Sequence, residues 1–82
     1  MNGIEVRFFG PLRDIVRCSE VVIDVPAPAT GATAFDVLAV RYPELRPWKQ
    51  SVRLAVNRRY VPFESAIASG DEISFIPPVS GG

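Results

Sequence analysis

The sequence predicts an α+β fold: a mixed sheet of four to five strands crossed by one main helix, with a short second helix and a flexible C-terminal tail. Three observations lead there. Apolar residues alternate with period two near both ends of the chain, at Ile4 to Phe9 and at Ile73 to Ile76. One helical pattern, built on Phe35, Leu38 and Tyr42, lies between them. The chain has 82 residues, 48% of them apolar, which suffices for one small core.

The first strand places Ile4, Val6 and Phe8 on one face and Glu5, Arg7 and Phe9 on the other. Gly10-Pro11 breaks it, and Pro11 suits the first turn of a short helix running to Cys18. Leu12, Ile15 and Val16 are that helix's apolar stripe. Glu20 to Val25 reads as a second strand, and Pro26 to Gly31 as a loop. Thr33 is the expected N-cap of the main helix, with Asp36 completing a capping box. That helix is expected to run to about Tyr42, where Pro43 stops it. Trp48, in the connection to Ser51, is expected to pack over one end of the core.

Val52 to Val56 is the third strand, Asn57-Arg58 a turn in which Asn tolerates positive φ, and Arg59-Tyr60-Val61 a short return strand. Ser69-Gly70-Asp71-Glu72 turns the chain into the last strand, with Ile73 and Phe75 facing the core. The first strand should run antiparallel to the second and parallel to the last. Such a sheet crossed by one helix is the β-grasp, or ubiquitin-like, roll. The domain is assigned to residues 1–76 and the extended tail to residues 77–82.

The tail is the most informative segment. Pro77-Pro78-Val79-Ser80-Gly81-Gly82 follows the last strand without a linker. The proline pair favours an extended polyproline conformation that holds the tail away from the body. Gly81 and Gly82 have no Cβ, so they can thread a narrow channel and present a free carboxylate to another enzyme. Gly82 is therefore the candidate working group, and Pro77, Pro78, Val79, Ser80 and Gly81 the segment that inserts it.

Composition removes other chemistries. There is no histidine, so serine–histidine and cysteine–histidine catalysis are excluded, and zinc would need unusual ligands. Nine basic residues balance nine acidic ones with no basic tract, which gives nucleic-acid binding little support. No run approaches the roughly 18 apolar residues of a membrane span, and the N-terminus lacks the pattern of a signal peptide; a cytoplasmic location is expected. The single Cys18 has no internal partner and reads as a small buried hydrophobe.

The face of the sheet away from the helix needs its own account. Alternation puts Phe9 and Ile76 there, flanked by Ala55 and Tyr60, with Glu5, Arg7 and Arg53 as a polar rim. Aromatic and apolar anchors inside a polar rim fit a protein interface. Phe9, Tyr60 and Ile76 are the candidate partner-binding residues.

With these residues in place, the chain resembles the MoaD/ThiS family of ubiquitin-like sulfur carriers, most of all its members that serve molybdopterin synthesis. The resemblance rests on Val6-Arg7-Phe8-Phe9-Gly10-Pro11-Leu12-Arg13, Leu54-Ala55-Val56-Asn57, Gly70-Asp71-Glu72-Ile73 and, above all, the stretch from Phe75 to Gly82. It implies a non-catalytic carrier that binds no cofactor. A partner of the ubiquitin-activating type, an adenylyltransferase using ATP and magnesium, would convert the Gly82 carboxylate into an acyl-adenylate. A sulfur donor would displace AMP and leave a thiocarboxylate. The tail would enter the large subunit of molybdopterin synthase, and the sulfur would pass to cyclic pyranopterin monophosphate to build its dithiolene. Two carriers on a dimer of large subunits would form a heterotetramer.

The chain departs from such carriers at Arg58, where glycine is common, at Ala68, where lysine is common, at Arg17-Cys18, which ends a helix without glycine, and in a main helix about a turn short. Other readings stay open on the sequence. They are a carrier for thiamine thiazole, cysteine or tRNA thiolation, a ubiquitin-like protein modifier, and an interaction module with an inert tail.

Overall fold

The computed structural model describes residues 3–78. Five strands form one sheet: β1 (Gly3–Phe8), β2 (Glu20–Asp24), β3 (Arg53–Val56), β4 (Arg59–Val61) and β5 (Glu72–Ile76). Their order is β2-β1-β5-β3-β4. β1 is antiparallel to β2 and parallel to β5, and β3 is antiparallel to both β4 and β5. The sequence predicts this topology correctly.

The helix α1 (Pro11–Val16) is shorter than expected, because Arg17 adopts the left-handed conformation at φ 65° and caps it through its own N–H to the Arg13 carbonyl. Leu12 and Val16 are buried and Ile15 packs beside them. The main helix α2 (Gly31–Arg41) starts three residues before the position expected from Thr33 as N-cap. Thr30 is the N-cap; its hydroxyl accepts from the Thr33 N–H at 3.1 Å, and Thr33 Oγ1 accepts from the Thr30 N–H at 2.8 Å. Threonine replaces the usual acidic partner in this reciprocal box, worth about 1 kcal/mol. Two further N–H groups of the first turn are satisfied from outside the helix: Gly31 donates to Ser65 and Ala32 to Phe63. The approach is so close that a Cβ at Gly31 would overlap the Leu54 side chain and lie 2.7 Å from the Phe63 carbonyl oxygen. A 3₁₀ helix over Pro43–Trp48 follows, and Trp48 packs against the core, as expected.

α2 lays Phe35 and Leu38 across Ile4, Val6, Phe8, Leu54, Ile73 and Phe75, all at most 2% exposed. At the centre, Phe35 meets Phe75 edge-to-face, with ring centroids 5.1 Å apart and planes at 85°. Phe63 closes the cluster at 5.9 Å from each.

The far end of the sheet, away from the tail, is pinned by polar contacts. Asn57 and Arg58 both take positive φ, at 50° and 70°, so the β3–β4 turn is the left-handed kind that fits strand twist, here built without glycine. Asn57 Nδ2 donates to Asp71, Asn57 Oδ1 accepts from the Glu72 N–H, and Asp71 also accepts from the Ala68 N–H at 2.8 Å. The Asn-x-x turn and the Gly-Asp-Glu turn thus hold each other.

Candidate functional site

β5 carries the tail, and it lies between β1 and β3 at the middle of the sheet. Pro77 and Pro78 have no N–H, so the ladder cannot continue past Ile76. The chain must leave the sheet there. Pro77 is half-buried and Pro78 exposed. Gly10, at φ 56°, brings its backbone beside Pro77; a Cβ placed there would lie 3.5 Å from Pro77 Cγ. The tail root is therefore braced where β1 turns into α1. Val79, Ser80, Gly81 and Gly82 lie outside the described residues.

A surface groove of about 430 Å³ flanks the exit, lined by Arg53, Tyr60, Ile76, Pro77 and Pro78. The register explains it. Arg53 pairs with Ile76, and Ala55 pairs with Tyr60, so these side chains share the face opposite α2. Ala55 is itself buried there, at 5% exposure. Tyr60 is 65% exposed, and the Arg53 guanidinium carbon lies over its ring, 6.0 Å from the centroid. The structure thus gathers Tyr60, Ile76, Pro77 and Pro78 from the expected set, with Arg53, expected at the rim, as a wall. Phe9 is placed differently. The β1–β5 ladder ends at Phe8 and Phe75, so Phe9 lies one residue past β1, level with Ile76, and it is 46% exposed. It does not line this groove.

The same face turns polar away from the tail. Arg7 Nε lies 2.6 Å from Glu72 Oε2, 3.8 Å from Glu5 and 3.9 Å from Glu20, and Arg58 Nε reaches Glu72 at 3.6 Å. The short Arg7–Glu72 contact is an ion pair by distance, but the N–H is not aimed for a hydrogen bond. Arg7 therefore sits within an acidic cluster rather than at the rim of an apolar patch. The sequence carries the signal for this in two outward positions, Arg7 and Glu20, which antiparallel pairing sets opposite each other. The apolar, partner-like part of the face is confined to the tail end.

Cys18 is exposed, not buried. The left-handed Arg17 ends α1 two residues earlier and turns Cys18 outward, where its thiol faces the Val16 carbonyl at 3.7 Å. It lies in the α1–β2 connection, at the end of the sheet from which the tail departs, since Phe8 donates to the neighbouring Ser19. Among the described residues no group of three or more His, Cys, Asp or Glu could hold a metal ion, and no helix is long and apolar enough to cross a membrane.

Comparison with known proteins gives the same outline. The model of the ThiS family matches residues 6–82. The molybdopterin synthase sulfur carrier subunit of Mycobacterium tuberculosis is 34% identical over 85 residues, covering all of both chains. The crystal structure of small archaeal modifier protein 1 from Haloferax volcanii superposes with a TM-score of 0.85 at 28% identity, covering 98% of this chain and 99% of that one. The complex of subunits 1 and 2 of the molybdopterin-converting factor from Helicobacter pylori contains a chain that matches with a TM-score of 0.65 at 27% identity, over 98% of this chain and 99% of that one. A β-grasp domain, a tail leaving its central strand and a full-length family match converge: the chain belongs to the ThiS/MoaD family of small, ubiquitin-like sulfur carriers.

Proposed function

We propose that this chain is the sulfur carrier subunit of a cytoplasmic molybdopterin synthase. The observation that carries the proposal is the Pro77-Pro78-Val79-Ser80-Gly81-Gly82 terminus, joined without a linker to the central strand. Similarity to carriers of that name, over the full length in Mycobacterium tuberculosis and at 29% identity over 82% of the Arabidopsis thaliana protein, supports the choice of pathway.

A carboxylate is a poor acyl donor because oxide is a poor leaving group. An adenylyltransferase partner, using ATP and magnesium, attaches the Gly82 carboxylate oxygen to AMP and releases pyrophosphate. A sulfur donor then attacks the acyl carbon, AMP departs, and a thiocarboxylate remains. The domain's part is to dock and to hold the tail extended. Phe9, Tyr60 and Ile76 meet the large subunit of the synthase, and Gly81 and Gly82 enter its pocket, where sulfur passes to cyclic pyranopterin monophosphate. Carriers on both members of a large-subunit dimer form a heterotetramer. Catalytic groups, oxyanion stabilisation and water exclusion come from the partners.

The similarity to Haloferax volcanii small archaeal modifier protein 1 favours a second reading, a ubiquitin-like protein modifier joined to lysines through Gly82. Intact mass spectrometry of the protein from its native host separates the two. A fraction heavier by the exchange of one oxygen for sulfur at the C-terminus is the expected result. Conjugates to lysines without any thiocarboxylate would overturn it.

The exposed Cys18 provides a further check. Cys18→Ser is expected to leave sulfur delivery within about twofold of wild type, because the acyl carbon of Gly82 carries the sulfur. Reconstituted dithiolene formation with thiocarboxylated variant measures this. Loss of delivery by a variant that still folds and docks would move the chemistry to the thiol.

A further inference from the structure

Arg53 stands between two concave surfaces. One is the tail groove already described. The other, of about 340 Å³, runs along the β3–β4 edge past Leu54, Val61, Pro62 and Phe63. Arg53 and Tyr60 line both, so this pair, with the guanidinium carbon 6.0 Å from the ring centroid, forms the ridge that divides them. Among the described residues, Arg53 is the only charged one lining either surface, and no acidic residue lines them. Among the described residues it forms no ion pair, whereas Arg7, Arg58 and Lys49 do. The guanidinium is thus exposed, beside an aromatic ring, bounded by apolar walls and without an anionic partner among the described residues.

We propose that Arg53, beside Tyr60, is the specificity-determining contact for the enzyme that adenylates Gly82, and that it receives an Asp or Glu carboxylate of that enzyme flanked by apolar side chains. This rests on the reading that Gly82 is adenylated. A planar guanidinium fits a carboxylate in a two-pronged pair, and its weak hydration suits an apolar surround. The Tyr60 ring, 6.0 Å from the guanidinium carbon, favours the side-chain placement that faces the groove. The location adds the functional link: the Cα partner of Arg53 across the ladder is Ile76, the last residue before the tail. A carboxylate gripped at Arg53 sets the position from which Pro77 and Pro78 deliver the terminus.

The test is ATP–pyrophosphate exchange by the adenylyltransferase of the same organism, with full-length wild type, Arg53→Gln and Arg53→Glu as substrates. KM is expected to rise roughly tenfold for Arg53→Gln and further for Arg53→Glu, about what the loss of one hydrogen bond to a charged group costs. kcat should stay near wild type, because the tail is untouched. Added salt should raise the wild-type KM more steeply than that of Arg53→Gln, since the screened attraction is then already gone. Urea midpoints equal to wild type would exclude unfolding as the cause. Unchanged KM in both variants, with normal exchange by wild type, would overturn the role of Arg53 alone. Absence of exchange with wild type would overturn the carrier reading, and the assignment of Arg53 with it.

Discussion

Deletion of Gly82 is expected to reduce acyl-adenylate formation by about a hundredfold or more while leaving the fold unchanged. The core is complete at Phe75, and the sheet ends at Ile76. Pro77 rests beside Gly10, Pro78 is exposed, and neither belongs to the core cluster. The core of the described domain is thus assembled from residues that precede the tail, and deletion of the last residue is expected to spare it. The deletion does withdraw the carboxylate by one residue, about 3.5 Å of extended chain. A reacting group misplaced by even 1 Å can cost about a hundredfold in rate. Gly82→Val should fail for a different reason: its length is right, but a branched side chain crowds the site where the carbonyl must be polarised. Pyrophosphate exchange with the activating enzyme measures the first effect, and urea unfolding the second. Normal exchange by the shortened chain would remove Gly82 from the chemistry. A lowered unfolding midpoint would mean that the tail helps to hold the domain together.

The fold was legible because its signals are local. Alternation in β1 and β5 states both strand and facing, and every core position named on them is buried. The Asn57-Arg58 turn was legible from the asparagine, even with arginine in the position that usually takes glycine. What escaped the sequence is tertiary. Thr30 and Thr33 both look like caps, and the choice between them is made by the segment 63–66, which supplies carbonyls to Gly31 and Ala32 and a bridge from Ala66 to Thr30. That segment has no periodicity of its own, so the role of Phe63 in the aromatic cluster was invisible. Cys18 escaped for a smaller reason. One left-handed residue, Arg17, rotates the chain enough to turn a buried position into an exposed one.

The candidate site was legible in part for the same reason. Period two puts Ile76 and Arg53 on the outer face, and pairing β3 with β4 brings Tyr60 beside them. Alternation alone does not show that Arg7 would be drawn into Glu5, Glu20 and Glu72. That cluster needs three strands side by side. Its consequence is to divide the face, leaving the apolar half next to the tail.

Adjacent residues on β5 should therefore respond in opposite ways to truncation. Phe75→Ala is expected to cost about 3–5 kcal/mol of folding stability. Phe75 is fully buried, pairs with Phe8 on one side and Leu54 on the other, and fills the gap between Phe35 and Phe63. No neighbour can close over it, because Phe35 is held by α2 and Phe63 by its carbonyl's bond to Ala32. For a domain this small that loss approaches the whole stability, so the variant should be largely unfolded or melt at low urea. Ile76→Ala and Phe9→Ala should fold nearly as well as wild type, since Phe9 is 46% exposed and Ile76 only partly covered. Their loss should appear in binding. A central interface anchor is worth about 2 kcal/mol, which is roughly a thirtyfold weaker Kd. Urea unfolding and calorimetric titration against the large subunit of molybdopterin synthase resolve the contrast in one set of proteins. If neither Ile76→Ala nor Phe9→Ala weakens binding, the docking face lies elsewhere on the domain. If Phe75→Ala retains most of its stability, the aromatic cluster is not the centre of the core. Only the predicted crossing of the two effects, between residues one position apart, supports a central strand that packs with one side and docks with the other.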